Sequence, residues 1–253
     1  MGTSKKEIKE YYDSLAGMKL NDYLYGNPRV SAAWKLIVKY APSRVSNVLD
    51  IGCGVGQTLH KLSKKWPDAN FTGLDISGES IRIARTLFGA KNITFVEGQL
   101  TSEISKEKFD LILMVDVYEH IDKQDRQDLH KNINKLLSDQ GRIIFNIPTP
   151  RLLNYLTKYV PSAVQPVDEA VDNNVINNLI NETGTEMILY VDKSIYRYGD
   201  YVQLVLARPQ PEWSFLERNS FFKKLFIRIR RYVKLPYINL KKWYILRKIR
   251  RIT

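Results

Sequence analysis

The sequence has very few metal-binding or disulfide-forming side chains: its 253 residues include one cysteine, Cys53, and three histidines. A single cysteine excludes a disulfide scaffold, and so few cysteines and histidines exclude a zinc finger and a cysteine-ligated iron–sulfur cluster. No uninterrupted apolar run approaches the about 18 residues that a membrane-spanning helix needs. The first residues also lack the apolar core of a signal peptide. We therefore expect a cytoplasmic protein.

Positive charge is in excess at only one end of the chain. The formal net charge is +12. Residues 1–212 contain 26 basic and 26 acidic side chains, whereas residues 213–253 contain 13 basic side chains and the single acid Glu217. This distribution predicts a neutral globular body followed by a basic tail, and the two parts need separate explanations.

Short apolar runs alternate with amphipathic helices between residues 46 and 150. The runs at 48–51, 70–74, 93–96, 109–115 and 142–147 predict strands, and Thr58–Trp66, Gly78–Phe88 and Lys123–Leu137 predict helices. Continuous apolar strands are typical of a parallel sheet that is covered on both faces. The pattern therefore predicts an α/β fold with a doubly wound, Rossmann-like sheet.

The regions on either side of this pattern differ from it. Residues 1–45 predict a helical cap, with helices at Lys5–Leu15 and Arg29–Tyr40. Residues 151–183 are mostly helical, and two strand-like runs, at 186–191 and 201–207, follow them. The link between these two runs is too short for the crossover that a parallel pair needs, so the two strands can pair only antiparallel. A terminal antiparallel hairpin is therefore predicted to complete the mostly parallel sheet. We place the core domain at 46–210, with 151–183 as an insertion, and a helical tail at 211–253.

A glycine-rich turn follows the first predicted strand in the pattern D-x-G-x-G-x-G, which runs from Asp50 through Gly52, Cys53, Gly54 and Gly56. Glycines bring the backbone close to a ligand at the carboxyl end of the strand. The spacing differs from the dinucleotide pattern G-x-G-x-x-G. A carboxylate at Asp50 would repel a pyrophosphate and attract an ammonium or sulfonium. Taken alone, the loop also fits an ordinary tight turn with Cys53 as a small residue in it.

Further candidate binding residues follow the next two strands. Asp75 ends the second strand, where a carboxylate can take both hydroxyls of a ribose. Ile76 would pack on an adenine face, and Gln99 or the backbone near Leu100 would contact the adenine edge. By itself, Asp75 also fits an N-cap for the helix that follows it.

Together these motifs resemble those of the class I S-adenosylmethionine-dependent methyltransferases, over about residues 45–150 and including the segment Phe109–His120. The resemblance implies that S-adenosylmethionine is the methyl donor and S-adenosylhomocysteine the product. It also implies that the glycine loop lies beside the methionine moiety and that Asp116 faces the methyl group. Gln99 departs from the family, in which many members have Asp. The implied donor-binding residues are Asp50, Gly52, Cys53, Gly54, Gly56, Asp75, Ile76, Gln99, Leu100, Asp116 and Tyr12.

The end of the fourth strand carries three candidate catalytic groups: Asp116, Glu119 and His120. Methyl transfer from a sulfonium mainly requires alignment, and a base is needed only if the acceptor must lose a proton. His120, oriented by Glu119, is the predicted base. A packing role for His120 is an equal alternative. A divalent-metal site is a further alternative, and we predict no metal ligands.

The amino-terminal Tyr11-Tyr12-Asp13 resembles the aromatic segment that closes over the donor in many relatives, so Tyr12 is predicted to contact the donor. An amphipathic helix face explains the same residues equally well. Tyr155, Tyr159 and the Asn-rich part of 151–183 fall where this family forms its acceptor pocket.

The tail 213–253 repeats aromatic and aliphatic residues at helical spacing between basic ones. Two basic amphipathic helices of this kind suit an anionic membrane surface. Nucleic acid would account for the charge but not for the apolar stripe. Packing of the stripe on the body or on another subunit is a third interpretation.

The sequence thus predicts an S-adenosylmethionine-dependent O-methyltransferase that is peripheral to the inner membrane face. The expected acceptor is a glycan, a lipid-linked saccharide or another small or lipid-derived molecule. An RNA-directed methyltransferase with the tail as its nucleic-acid grip is the alternative function. A binding protein that keeps the fold without turnover is a further one. The oligomeric state is not predicted.

Overall fold

The computed structural model describes residues 4–209 and Trp243. The chain divides into two units, Met1–Pro209 and Gln210–Thr253, and the fold below is that of the first. The two helices predicted for the tail lie outside the described residues. No helix in the described part of the chain has both the length and the apolar character needed to cross a membrane.

Three helices form the amino-terminal part: α1 (Lys5–Ser14), α2 (Ala16–Tyr25) and α3 (Pro28–Tyr40). A capping box starts α1, because the Ser4 side chain accepts from the Glu7 amide and the Glu7 carboxylate accepts from the Ser4 amide. Asn27 caps α3, which has a proline at its start. The sequence analysis predicted α1 and α3 but missed α2.

Seven strands form one sheet in the order β3-β2-β1-β4-β5-β7-β6. The strands are β1 (Asn47–Ile51), β2 (Asn70–Asp75), β3 (Ile93–Glu97), β4 (Phe109–Val115), β5 (Leu137–Pro148), β6 (Glu186–Lys193) and β7 (Tyr201–Ala207). The first five pair in parallel, and β7 pairs antiparallel with both β5 and β6. The predicted fold class, including the antiparallel hairpin, is confirmed.

Five more helices pack around the sheet: α4 (Gln57–Lys65), α5 (Gly78–Phe88), α6 (Lys123–Leu136), α7 (Pro150–Tyr159) and α8 (Asn173–Thr183). A short 3-10 helix, Tyr118–His120, follows β4. The residues between α7 and α8 contain a second 3-10 turn, Pro161–Ala163, and are otherwise irregular.

The core lies on both faces of the sheet because successive side chains of a strand point to opposite faces. On β4, Ile112 and Met114 belong to one apolar cluster, and Leu111 and Leu113 belong to the other. All four are fully buried. Burial of each such side chain contributes about 1.5–3 kcal/mol. This two-sided burial explains the continuous apolar run of β4.

The chain order reverses between β1 and β4, since β2 and β3 lie to one side of β1 and β4 and β5 to the other. In open α/β sheets, ligands bind in the crevice outside the carboxyl ends of the strands at such a point. The ends of β1, β2 and β4 therefore define where a site is expected.

Candidate active site

The glycine-rich loop after β1 has a backbone that glycine alone adopts easily. Gly52, Gly54 and Gly56 have φ angles of 74°, 54° and 81°. A Cβ on Gly56 would lie 2.6 Å from Cζ of Phe95, and one on Gly52 would clash with Val117. The loop is therefore packed tightly against neighbouring side chains at Gly52 and Gly56. At Gly54 a Cβ would instead lie 3.2 Å from Cδ of Lys19, on the side that faces α2.

Asp75, at the end of β2, ties this loop to the neighbouring strand. Its side chain accepts from the Gly54 amide at 2.8 Å and from the Ser77 amide at 2.9 Å. The residue is buried, with 5% exposure. A carboxylate has about four lone-pair sites, so these bonds leave capacity for further donors such as ribose hydroxyls.

Asp50 lies near the end of β1, directly before the loop, and is 3% exposed. Burial, and to a smaller extent the charge of Asp75, raises the pKa of Asp50 to about 8. A group of this kind is mostly protonated at neutral pH and becomes ionised more easily when a cation arrives. Burial also raises the pKa of the Cys53 thiol, so Cys53 is a small neutral loop residue.

The predicted adenine-side residues differ in their burial. Leu100 is buried, Ile76 is half-buried and Gln99 is exposed. Glu97, which begins this predicted adenine-side segment, pairs in register with Asp75 on the neighbouring strand. Its carboxylate lies 3.1 Å from Nζ of Lys9.

Asp116 follows β4 in a strained backbone conformation, with a φ of 53°. For a residue with a side chain such a conformation costs about 1–3 kcal/mol, and it is often found at functional sites. Oδ2 of Asp116 lies 3.7 Å from the Arg29 guanidinium. Burial raises the pKa of Asp116, while the charges of Arg29 and His120 oppose that rise.

His120 lies between two carboxylates. Its Nδ1 is 2.9 Å from Asp168 Oδ1 and 2.9 Å from the Val167 carbonyl, and its Nε2 is 3.7 Å from Glu119 Oε1. The predicted partner Glu119 is thus the more distant carboxylate, and Asp168 orients the ring. Sequence reasoning missed Asp168 because it lies in the irregular segment between α7 and α8.

These neighbours set the charges of the cluster. Burial alone would lower the pKa of His120, but Glu119, Asp168 and the bond to Val167 outweigh it and raise that pKa to about 9. Burial raises the pKa of Glu119 to about 7, despite the opposing charge of His120. Within this buried pair, burial favours the neutral carboxyl of Glu119, and the two carboxylates favour the charged form of His120.

Helix α1 brings Tyr12 to the same place. Its ring centroid lies 6.1 Å from that of His120. Burial, and then Glu119 and Asp168, raise the pKa of Tyr12, so its phenol stays neutral. Tyr12 therefore lies beside the predicted catalytic residues. Its contact with the donor stays a prediction.

Three side chains, those of Asp13, Lys9 and Lys19, hold α1 and α2 over the carboxyl ends of the strands. Asp13 accepts from the Ser77 hydroxyl at 2.7 Å and from the Glu79 amide at 3.1 Å, at the start of α5. Lys9 contacts Glu97, and Nζ of Lys19 lies 3.5 Å from Asp75 Oδ2. These contacts come from only part of the predicted helical cap 1–45, and from here on the cap means residues 4–25.

Several buried polar atoms around His120 have no hydrogen-bond partner in the described part of the chain. They are Tyr12 Oη, Asp116 Oδ1, Glu119 Oε2, Asn146 Nδ2 and Gln165 Oε1. An unsatisfied buried polar atom costs about 1–3 kcal/mol. Five such atoms around one histidine indicate a place that a polar ligand completes.

Within residues 4–209 no group of three or more His, Cys, Asp or Glu side chains has the arrangement of a metal site. A surface depression of about 260 Å³, lined in part by Ser46, Asp110 and Ser138, lies at the opposite, amino-terminal edge of the sheet. The candidate site therefore has two halves. The loop half consists of the glycine loop with Asp50 and Asp75, and the polar half is the cluster of buried polar side chains around His120.

Residues 48–141 match a family model described as a methyltransferase domain. The chain is 31% identical over 103 residues to malonyl-[acyl-carrier protein] O-methyltransferase 2 of Ilyobacter polytropus, a match that covers 40% of this chain and 39% of the relative. It is 34% identical over 88 residues to trans-aconitate 2-methyltransferase of Enterobacter sp., covering 35% of this chain and 34% of the relative. The chain therefore spans only about two fifths of the length of these curated relatives or less.

Solved structures share the fold at low identity. The N-methyltransferase NodS of Bradyrhizobium japonicum with S-adenosylhomocysteine matches with a TM-score of 0.58 and 21% identity, over 74% of this chain and 91% of that one. Magnesium protoporphyrin IX methyltransferase of Synechocystis, also with S-adenosylhomocysteine, matches with a TM-score of 0.58 and 20% identity, over 81% of this chain and all of that one. Likeness at this identity establishes the fold.

Proposed function

We propose, from the premise that residues 48–141 form a domain of the class I S-adenosylmethionine-dependent methyltransferase family, that this protein methylates the oxygen of a hydroxyl-bearing acceptor. S-adenosylmethionine supplies an electrophilic methyl group on a sulfonium, with a thioether as the leaving group. The observation that carries the proposal is the pair of buried acids, Asp50 and Asp75, beside a glycine loop and next to a buried polar cluster with unsatisfied atoms.

The residues of the loop half fit this donor. Asp50 is a buried acid whose ionised form a nearby cation stabilises, which suits an ammonium or sulfonium. Asp75 retains lone pairs for ribose hydroxyls while its backbone bonds hold it in place. On the side of the loop that faces the cap, the only close neighbour of a Cβ on Gly54 would be the flexible Lys19 side chain, at 3.2 Å.

The unsatisfied atoms of the other half favour an acceptor that donates hydrogen bonds. Two of them are carboxyl oxygens, Asp116 Oδ1 and Glu119 Oε2, which can accept. A carboxylate acceptor would compete with Asp116 and Glu119 for the two groups beside them, Arg29 and His120. A hydroxyl of a glycan or similar molecule would instead find acceptors for its proton.

Within this half, Glu119 is better suited than His120 to take the acceptor's proton. The ideal base has a pKa near the working pH, and the pKa of Glu119 is about 7. Its Oε2 is buried without a partner, whereas both ring nitrogens of His120 have close neighbours. His120, as an imidazolium, would then stabilise the ionised Glu119.

A panel of acceptors tests this function. Purified full-length protein would be incubated with S-adenosylmethionine labelled on its methyl group and with glycans, lipid-linked saccharides, dicarboxylates, amines or RNA. We expect label in an alkali-stable ether of a hydroxyl acceptor. Transfer to a carboxylate would give an alkali-labile ester and would contradict the acceptor class. Transfer to RNA would favour the alternative function.

The basic tail supports a place for this reaction at a membrane surface. Each Lys or Arg near an anionic leaflet contributes about 1 kcal/mol to binding, and residues 213–253 carry 13 of them. A lipid-linked saccharide would be presented at such a surface. The same charge supports the RNA alternative, so the two need separate tests.

Sedimentation with vesicles separates the two interpretations of the tail. The full chain should pellet with phosphatidylglycerol vesicles and not with phosphatidylcholine vesicles. Replacing Arg247, Lys248, Arg250 and Arg251 with Gln should weaken this binding strongly. The membrane proposal is wrong if the full chain stays in the supernatant but binds RNA, and if the logarithm of its RNA affinity falls steeply and linearly with the logarithm of the salt concentration.

A further inference from the structure

Lys19 places a positive charge inside the acidic half of the site. Its Nζ lies 3.5 Å from Asp75 Oδ2, and its side chain is 28% exposed. Its Cδ lies 3.2 Å from the position of a Cβ on Gly54. Its Nζ also lies 5.6 Å from the centroid of the Tyr12 ring. Lys19 therefore extends from α2 into the space between the glycine loop and Asp75.

Lys19 is held more loosely than the neighbouring cation Lys9. Lys9 has two carboxylates close to it, Glu97 at 3.1 Å and Asp13 at 3.2 Å. The 3.5 Å separation of Lys19 and Asp75 is longer than a good hydrogen bond. A long, flexible lysine with one distant partner can turn to another at little cost.

The proposed donor needs a cation at this place. The methionyl end of S-adenosylmethionine carries a carboxylate as well as an ammonium. Asp50 and Asp75 suit the positive groups and the ribose hydroxyls, but they repel a carboxylate. When ribose hydroxyls occupy Asp75, Lys19 also loses part of its present interaction. Both requirements are met if Lys19 turns to the carboxylate.

We propose that Lys19 is a donor-binding residue that exchanges partners: it neutralises Asp75 in the structure described here and pairs with the methionyl carboxylate of the bound donor. This assignment rests on the proposed function. Because Asp13 and Lys9 anchor the cap independently, the exchange requires movement of one side chain rather than opening of the cap. Lys19 then favours ligands with an amino-acid end over simple nucleosides.

Calorimetric binding of two ligands tests the exchange without an acceptor. S-adenosylhomocysteine has the amino-acid end, and 5′-methylthioadenosine has the same nucleoside and thioether without it. Lys19→Met should weaken S-adenosylhomocysteine binding about 10- to 100-fold, as expected for loss of a charge-assisted contact. It should leave 5′-methylthioadenosine binding unchanged or a few-fold tighter, because Asp75 no longer has a competing partner.

Two further variants control for indirect effects. Lys19→Arg keeps the charge and should retain most of the affinity for S-adenosylhomocysteine. Lys6→Met removes a lysine from the same cap at an exposed site, with 85% of its side chain accessible, and should change neither affinity. Thermal unfolding of each variant verifies that it is folded.

Three results would overturn the assignment. Equal weakening of both ligands by Lys19→Met would mean that Lys19 only supports Asp75 or the cap. Tightening of both would mean that Lys19 only obstructs the crevice. If the wild-type protein binds neither ligand, the proposed function itself fails, and the role of Lys19 fails with it.

Discussion

The loop half and the polar half of the site satisfy their polar groups in different ways. Around the glycine loop, both oxygens of Asp75 already accept backbone hydrogen bonds, and Gly52 and Gly56 are packed against side chains. Around His120, five buried polar atoms lack partners in the described part of the chain. We therefore expect the first half to be formed before a ligand binds and the second to be completed by the ligand.

Removing the proposed base should have the largest effect and should separate the two halves. Glu119→Gln should lower kcat about 10²- to 10⁴-fold, the usual contribution of general-base catalysis. Its affinity for S-adenosylhomocysteine should stay within about threefold, because Glu119 belongs to the polar half. Asp168→Asn, which acts through His120, should have a smaller effect on kcat. If Glu119→Gln weakened the affinity for S-adenosylhomocysteine by as large a factor as it lowered kcat, the two halves would not be independent.

The pH profile should identify which group takes the proton. If Glu119 is the base, kcat/KM should rise as pH passes about 7, where its carboxyl ionises, and should fall above about 9, where His120 loses its charge. If His120 is the base, activity should instead keep rising through about pH 9. Glu119→Gln should remove the limb near pH 7, and a profile unchanged by this substitution would contradict the assignment.

A methyl group added to the loop half should cost stability. Gly56→Ala imposes a strained φ and a 2.6 Å approach to Phe95, and together these should lower the free energy of unfolding by about 2–4 kcal/mol. Gly17→Ala is the matched control, because nothing lies within 4 Å of its added Cβ. It should stabilise α2 by about 0.5–1 kcal/mol. Urea unfolding measures both changes, and a neutral Gly56→Ala would mean that the loop adapts easily.

The smallest expected effect is a proton released from the loop half when the donor product binds. Because the pKa of buried Asp50 is about 8, its ionisation in the ligand-free protein is unfavourable below that pH. A bound ligand ammonium would stabilise the ionised carboxylate, so Asp50 would lose its proton on binding. Affinity for S-adenosylhomocysteine should therefore increase several-fold between pH 6 and about 7.5. Calorimetry in buffers of different ionisation enthalpy counts the released protons. Release that persists in Asp50→Asn would assign it to another group.

Local patterns were sufficient for most of the fold. The limits of α5, β4 and β7 agree with the structure because each has a continuous pattern bounded by residues that end it. Helix α2 was missed because it continues from α1 after a single intervening residue and starts without a side-chain cap. Strand β5 begins five residues earlier than predicted, at Leu137, where the predicted helix was extended by one residue.

The sequence by itself determined the doubly wound sheet, the glycine loop and the two acids beside it, because these depend on side-chain periodicity and on motifs within a few residues. Only the tertiary structure decided that Asp168 orients His120, that Lys19 faces Asp75 and that Tyr12 lies beside the catalytic candidates. These partners are separated along the chain by 48, 56 and 108 positions, respectively. No local preference encodes such pairs, since they arise when the packing of the cap and of the segment between α7 and α8 brings them to the same edge of the sheet.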